Sequence, residues 1–398
     1  MVVKPRLLLA VASALTLVLT AAAPMLGASR EAKPAPLRSG SLLRVKDIAA
    51  NGSTSKGAIV AIGWHEGSKP GQLYLAFSTN GGKDYSKSNG RLRRYPIVGE
   101  TALGISLDIC DGRVWAGTGY RSSSDKAGDS DVFLTSRTIG GGAAQALMTS
   151  TSDNRRVRDV TVSCVGNEMI AIGWLQKTGK KSTAQLLLRS LEPLGTTPSV
   201  KNLYNLGRAD LMSGLDVAAT PSSVAVSFVR DGDLQLKRFD IASPADINSY
   251  PLQTIARKDV SNPVMDARGK RLVMAYTDAG KVRVRTSANL GETVSRPGLL
   301  VETGGIKNPS RPYSIDVVGD QVVATAGVYS KTSGKITPYR MTSSNFGENW
   351  RKRAFGNVGA RLAAQSKKRN QAPQLVEAWH NNAAKGSDDT LRARYELP

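Results

Sequence analysis

The strongest constraint in this sequence is a short turn that recurs. Ser78–Tyr85 reads Ser-Thr-Asn-Gly-Gly-Lys-Asp-Tyr, Ser287–Val294 reads Ser-Ala-Asn-Leu-Gly-Glu-Thr-Val, and Ser343–Trp350 reads Ser-Ser-Asn-Phe-Gly-Glu-Asn-Trp. The shared core is Ser-x-Asn-x-Gly: Ser78, Asn80 and Gly82; Ser287, Asn289 and Gly291; Ser343, Asn345 and Gly347. Each copy follows a run in which apolar and polar residues alternate, as in Val282-Arg-Val-Arg-Thr286. Alternation with period two is the mark of a half-buried strand. An Asn side chain accepts backbone N–H groups ahead of it in the chain, and Gly takes the left-handed position that closes such a turn. Trp350 and Tyr85 end two of the copies and can fold back on them.

Around these turns a longer unit repeats, with a period of about 50 residues. It consists of an apolar strand, a tight turn, a second apolar strand, a polar loop, a third alternating strand, and the Ser-Asn-Gly turn or its remnant. The second strands fall at Ala58–Trp64, Val114–Gly117, Met169–Trp174, Val224–Val229, Arg271–Tyr276, Gln321–Ala326 and Gln374–Trp379. Decayed turns stand at Ser136-Arg-Thr-Ile-Gly140 and at Ser190 with Gly195. Strands throughout, 39 Gly, 6% aromatic residues and no helical periodicity predict an all-β chain closed by radial repetition, a β-propeller. We read seven blades, with six as the alternative. The last unit has three strands, and residues 32–42 are placed to supply its fourth and close the ring, which removes two sheet edges. The aromatics Trp64, Trp174, Tyr276 and Trp379 fall in register and read as core between blades.

Three segments follow: a leader over 1–28, a linker over 29–40, and one propeller domain over 41–398. The leader has Lys4 and Arg6, an apolar run from Leu7 and small residues at Gly27, Ala28 and Ser29, the order of a secretory signal peptide. An uncleaved membrane anchor is the alternative and the only membrane association expected. The chain is therefore expected outside the cell, secreted or held at the surface or cell wall. The formal charge is +22, and loss of Lys4 and Arg6 with the leader leaves +20. Such an imbalance attracts polyanions. The expected partners are anionic cell-wall polymers, acidic glycans or a surface protein, with no specific nucleic acid, and the chain is expected to be a monomer. The cations lie in dispersed runs: Arg91, Arg93 and Arg94; Arg155, Arg156 and Arg158; Lys180 and Lys181; Arg351 to Arg353; Lys367 to Arg369.

The recurrent turns resemble the Asp-box, or BNR repeat, of the sialidase superfamily, Ser-x-Asp-x-Gly-x-Thr-Trp. That resemblance implies a β-propeller with the box between the third and fourth strands of a blade. Asn80, Asn289 and Asn345 stand where the family has Asp. The family's chemistry uses three arginines, a Tyr activated by a Glu, and an Asp. Its early Arg-Ile-Pro signature is absent, and Leu92-Arg-Arg-Tyr-Pro96 is a poor substitute. Arg311-Pro-Tyr313-Ser314 resembles the setting of the nucleophilic Tyr, so Arg311 and Tyr313 are the catalytic candidates that the resemblance implies.

An acidic residue recurs on the first strand of most units: Asp47, Asp108, Asp216, Asp266 and Asp316, with Ser163 in the third. First strands line a propeller's channel, so these form a ring. They read as acceptors of backbone N–H groups from the neighbouring blade, with a hard-cation site such as Ca2+ as the alternative. No cofactor is expected. Cys110 and Cys164 lie on adjacent first strands with opposite parity from the Asp slot, as a bridge between neighbouring sheets requires. A disulfide is expected, with two free thiols as the alternative. His65 and His380 follow the Trp of the first and last units, as loop residues or an approaching pair. Two function classes result: a non-catalytic binding propeller, and a glycoside hydrolase of sialidase-like fold acting on acidic glycans.

Overall fold

A computed structural model describes residues 35–40, 44–54, 57–66, 72–85, 87–88, 91–92, 95–98, 101–102, 105–110, 112–121, 131–139, 145–149, 155–166, 169–190, 203–241, 250–301, 304–305, 308–330, 332–333, 336–354, 361–365, 374–381 and 389–396. The leader, Arg93, Arg94 and Lys367 to Arg369 lie outside them. The chain is an all-β propeller. Consecutive antiparallel strands form four-stranded sheets, each built from inside to outside.

Sheet I holds Arg44–Thr54, Gly57–Glu66, Gln72–Ser78 and Tyr95–Val98. Sheet II holds Ser106–Cys110, Arg113–Arg121, Asp131–Thr138 and Gln145–Thr149, with Thr101–Ala102 added beside Arg113–Arg121. Sheet III runs Arg155–Val165, Met169–Thr178, Lys181–Ser190, Leu203–Ala209. Sheet IV runs Met212–Ala219, Ser223–Arg230, Asp233–Asp240, Leu252–Ala256. Sheet V runs Val260–Arg268, Arg271–Asp278, Lys281–Ser287, Gly298–Val301, and sheet VI Arg311–Val318, Gln321–Tyr329, Ile336–Ser343, Arg351–Ala354. Sheet VII combines Arg361–Gln365, Gln374–Asn381 and Asp389–Glu396 with the N-terminal strand Ala35–Gly40, Ala35 standing opposite Ala393. Residues 35–40, assigned above to the linker, are thus in a strand.

The innermost strands touch in chain order, and that of sheet VII touches that of sheet I. Apolar side chains fill each seam. Ile59, Leu73 and Phe77 of sheet I meet Ile105, Leu107 and Ile109 of sheet II. Trp115 and Leu134 of sheet II meet Val162, Ile170 and Trp174 of sheet III. The next seams repeat the pattern, with Phe228 and Phe239 facing sheet III and Tyr276 facing sheet IV. Trp64, Trp174 and Tyr276 are buried as core, and the Trp379 side chain lies outside the described residues. Glycine on the second strand lets the next sheet approach. A Cβ on Gly117 would lie 2.5 Å from Val162, and one on Gly173 would lie 2.7 Å from both Leu215 and Val217.

The turns sort onto two faces. The Ser-Asn-Gly turns lie beside the turn between first and second strands, where Leu290 N–H donates to Lys270 O and Phe346 N–H to Asp320 O. The second-to-third turns lie on the other face with the connections between sheets. There Asp231 N–H donates to Leu211 O and Ser310 N–H to Gly280 O. Asp231-Gly232 and Ala279-Gly280 are two-residue hairpins with positive φ at both positions, the geometry that matches strand twist.

Candidate functional site

The three Ser-Asn-Gly turns share one hydrogen-bond pattern. The Ser78 hydroxyl accepts Gly82 N–H at 3.0 Å and Asn80 N–H at 3.3 Å, and donates to Asn80 Oδ1 at 2.8 Å. Asn80 Oδ1 also accepts Asp84 N–H at 2.9 Å. Ser287/Asn289/Gly291 and Ser343/Asn345/Gly347 repeat this, with Thr293 and Asn349 in the place of Asp84. The second amide atom explains why Asn stands where the resemblance calls for Asp. Asn80 Nδ2 donates to the Asp84 carboxylate at 3.0 Å, and Asn345 Nδ2 to that of Glu348 at 3.3 Å. A carboxylate at either position would face another carboxylate. Trp350 folds back as expected, its indole N–H donating to Gly347 O at 2.9 Å. Tyr85 is buried, and burial pushes its hydroxyl well above its ordinary pKa. In the decayed copy the buried Ser136 hydroxyl has no hydrogen-bond partner among the described residues.

The first strands bring Asp47, Asp108, Asp216, Asp266 and Asp316 together around a central cavity of about 250 Å³, with Tyr313 at its wall. Each innermost strand is a sheet edge, so its outward N–H groups need acceptors. The carboxylates supply them across the seams. Asp47 accepts Leu107 N–H at 2.7 Å, Asp108 accepts Cys164 N–H at 2.7 Å, Asp216 accepts Met265 N–H at 2.6 Å, and Asp266 accepts Val317 N–H at 2.6 Å. The second oxygen takes the N–H of the following residue in the same strand: Ile48 at 2.9 Å, Ile109 at 2.7 Å, Val217 at 2.9 Å. Asp47, Asp108 and Asp216 therefore each clasp their own strand to the next. Asp216 also accepts the Thr161 hydroxyl at 2.9 Å.

Sequence reasoning missed part of this system. Ser163 does fill the slot in sheet III, accepting Ala219 N–H at 3.1 Å. Asp159, four residues earlier, adds a second clasp to Leu215 N–H at 3.2 Å, and Ser106 accepts Val162 N–H at 3.1 Å. Both share the parity of the slot, which was the available signal. Burial pushes Asp108, Asp159 and Asp266 up to about 6 and Asp216 to about 7, against the pull of the donated N–H groups. The Asp47 charge adds to the rise at Asp216, and that of Asp108 to the rise at Asp266. Among the described residues, no three His, Cys, Asp or Glu side chains are grouped to hold a metal ion.

Cys110 and Cys164 are joined in a disulfide across the seam of sheets II and III, with Cα atoms 5.9 Å apart. Arg311 is exposed on the innermost strand of sheet VI, its guanidinium 5.4 Å from the Tyr313 ring centre. Tyr313 is buried beneath Gly327, where a Cβ would lie 2.1 Å from its hydroxyl. The two are brought together, and Tyr313, though not Arg311, lines the cavity with Asp316. His65 is half-buried on the second strand of sheet I, so it is a strand residue and not a loop residue; the side chain of His380 lies outside the described residues. Arg156, Arg158, Lys180, Lys181 and Arg351 to Arg353 are all exposed. No helix among the described residues is long and apolar enough to cross a membrane.

No protein-family model matches this chain, and no curated protein matches it by sequence. Solved structures do match. A protein of unknown function from Dyadobacter fermentans is similar at 10% identity and a TM-score of 0.50, over 93% of this chain and 99% of its own. The endosialidase of phage phi92 is similar at 10% identity and a TM-score of 0.50, over 93% of this chain and 69% of its own. A Trypanosoma rangeli sialidase matches at 15% identity and a TM-score of 0.45, over 78% of this chain and 56% of its own. At these identities the likeness establishes the β-propeller fold alone.

Proposed function

We propose that this protein is an exported, non-catalytic propeller of sialidase-like fold that binds anionic polymers, such as acidic glycans or cell-wall polymer, at the cell surface. In this reading the leader over 1–28 is removed, and the ring has seven blades closed by Ala35–Gly40. One observation carries the non-catalytic part. Four of the five carboxylates nearest the channel, Asp47, Asp108, Asp216 and Asp266, which a hydrolase would use, are committed to backbone N–H groups of the adjacent sheet. A group that secures two strands is a poor proton shuttle. The net positive charge supports the choice of ligand, and the neighbouring solved structures include an endosialidase.

The test is binding of the secreted protein to heparin and to uncharged dextran, by titration calorimetry across a salt series. Heparin binding that weakens steeply between low and high salt, with no dextran binding, is expected. Salt-indifferent binding, or none to heparin, rejects the reading. A glycoside hydrolase acting on acidic glycans is the second reading, favoured by Tyr313 at the cavity wall with Arg311 over its ring. Turnover of an acidic glycan that Tyr313→Phe abolishes would establish it.

A further inference from the structure

We infer that the polyanion lies along one radial stripe of cations on the turn face of sheet III, ending at the seam with sheet IV; this rests on the reading above. The stripe starts near the channel mouth. Arg156 and Arg158 precede the cavity-lining residues of the innermost strand, and both are exposed. Arg156 stands directly opposite Lys177 on the second strand. Lys180 occupies the exposed turn between second and third strands. Arg208 stands opposite Thr183 on the fourth strand. Arg230 of sheet IV comes to the same end, its Nη1 4.0 Å from where a Cβ on Gly207 would sit.

Arg156, Arg158, Lys177, Lys180, Arg208 and Arg230 outnumber the carboxylates around them. The mouth-face carboxylates around them already have donors. Asp210 pairs with Lys181, Asp231 accepts Leu211 N–H, Asp233 accepts Lys258 N–H, and Asp159 accepts Leu215 N–H. No ion pair is formed by Arg156, Arg158, Lys177, Lys180, Arg208 or Arg230 among the described residues. Strands within a sheet lie about 4.8 Å apart, so the stripe spans about 15 Å from first to fourth strand. That length suits a linear polymer carrying several charges better than a single small anion. Guanidinium forks at both ends can each grip a sulfate or carboxylate with two parallel bonds. The partner class is therefore an extended acidic polysaccharide laid from channel mouth to rim.

The test compares two triple variants of equal net charge. Arg156→Gln/Arg158→Gln/Lys177→Gln removes half of the stripe. Arg351→Gln/Lys352→Gln/Arg353→Gln removes three exposed cations from the outer strand of sheet VI. Urea midpoints check that each variant is folded. With heparin as probe, the stripe variant is expected to bind more than about tenfold more weakly. Its slope of log affinity against log salt is expected to fall by about one for each cation removed. The outer-strand variant should change affinity by less than about threefold. Equal weakening in both variants overturns the stripe while leaving polyanion binding intact. Failure of the unaltered protein to bind heparin sinks the underlying reading instead.

Discussion

Removing the disulfide between Cys110 and Cys164 offers a perturbation whose size follows from the structure. The bridge closes a loop with a sequence separation of 54 residues. Chain-entropy arguments for a loop of that length give about 4 kcal/mol at 25 °C, through the unfolded state. Little should be lost from the folded state. Cys110 is buried among Trp115, Val162 and Ile170, where a thiol packs as a small apolar group. The N–H of Cys164 still reaches Asp108, so the seam keeps its clasp when the sulfurs part. The assay is equilibrium urea unfolding of the oxidised protein, the reduced protein and Cys110→Ala/Cys164→Ala. Non-reducing mass mapping would confirm the state of both sulfurs. We expect reduction to cost about 3–4 kcal/mol, and the double variant slightly more because each truncation leaves a small cavity. A loss below about 1 kcal/mol, with the bridge shown to form and to break, would refute the reasoning. It would mean that the unfolded chain already holds these strands together.

Three further outcomes are expected. Asn80→Asp should lower stability by about 0.5–1 kcal/mol in urea unfolding, because the new carboxylate faces Asp84, whereas Asn289→Asp should be near neutral, since the Thr293 hydroxyl can donate to it. Asp108 and Asp266 have folded pKa values raised above the ordinary 3.8 to about 6, and Asp216 to about 7. Their contribution is fully present below about pH 4 and is lost as pH rises through 6 to 7, so the stability advantage of the unaltered protein over Asp216→Asn should shrink between pH 5 and pH 8. Deleting residues 35–40 bares the edge strand Asp389–Glu396 and should both destabilise the protein and promote association, read by light scattering.

Much of the architecture was legible because each of its determinants is local and repeated. The Ser-Asn-Gly turns are closed by bonds within a few residues, so the side chains that define them sit together in the sequence. The Asp slot was visible for the same reason: one role, at the same place in most units. Its structural meaning followed from asking where an edge strand's N–H groups go. Asp159 and Ser106 were missed because they are extra clasps present in single sheets, and a repeat search does not flag what occurs once. The preference for Asn over Asp was read only as a departure from a pattern. Its reason lies in the partner of the amide nitrogen, Asp84 or Glu348, a pairing that alignment of the boxes alone does not bring out. The cation stripe was the least legible. Arg156, Lys177 and Arg208 are far apart in sequence and meet only because three strands end on one face.

The account turns on the channel carboxylates acting as clasps. Its most direct test is Asp216→Asn, assayed for both urea stability and heparin affinity. Asn can accept at one atom only, while Met265 N–H, Val217 N–H and the Thr161 hydroxyl all require an acceptor there. At pH 5 we expect a loss of about 1–3 kcal/mol in stability with heparin affinity and its salt dependence unchanged. Unchanged stability together with lost binding or lost turnover would contradict the account, for it would make the ring the functional site and leave the seams held by something else.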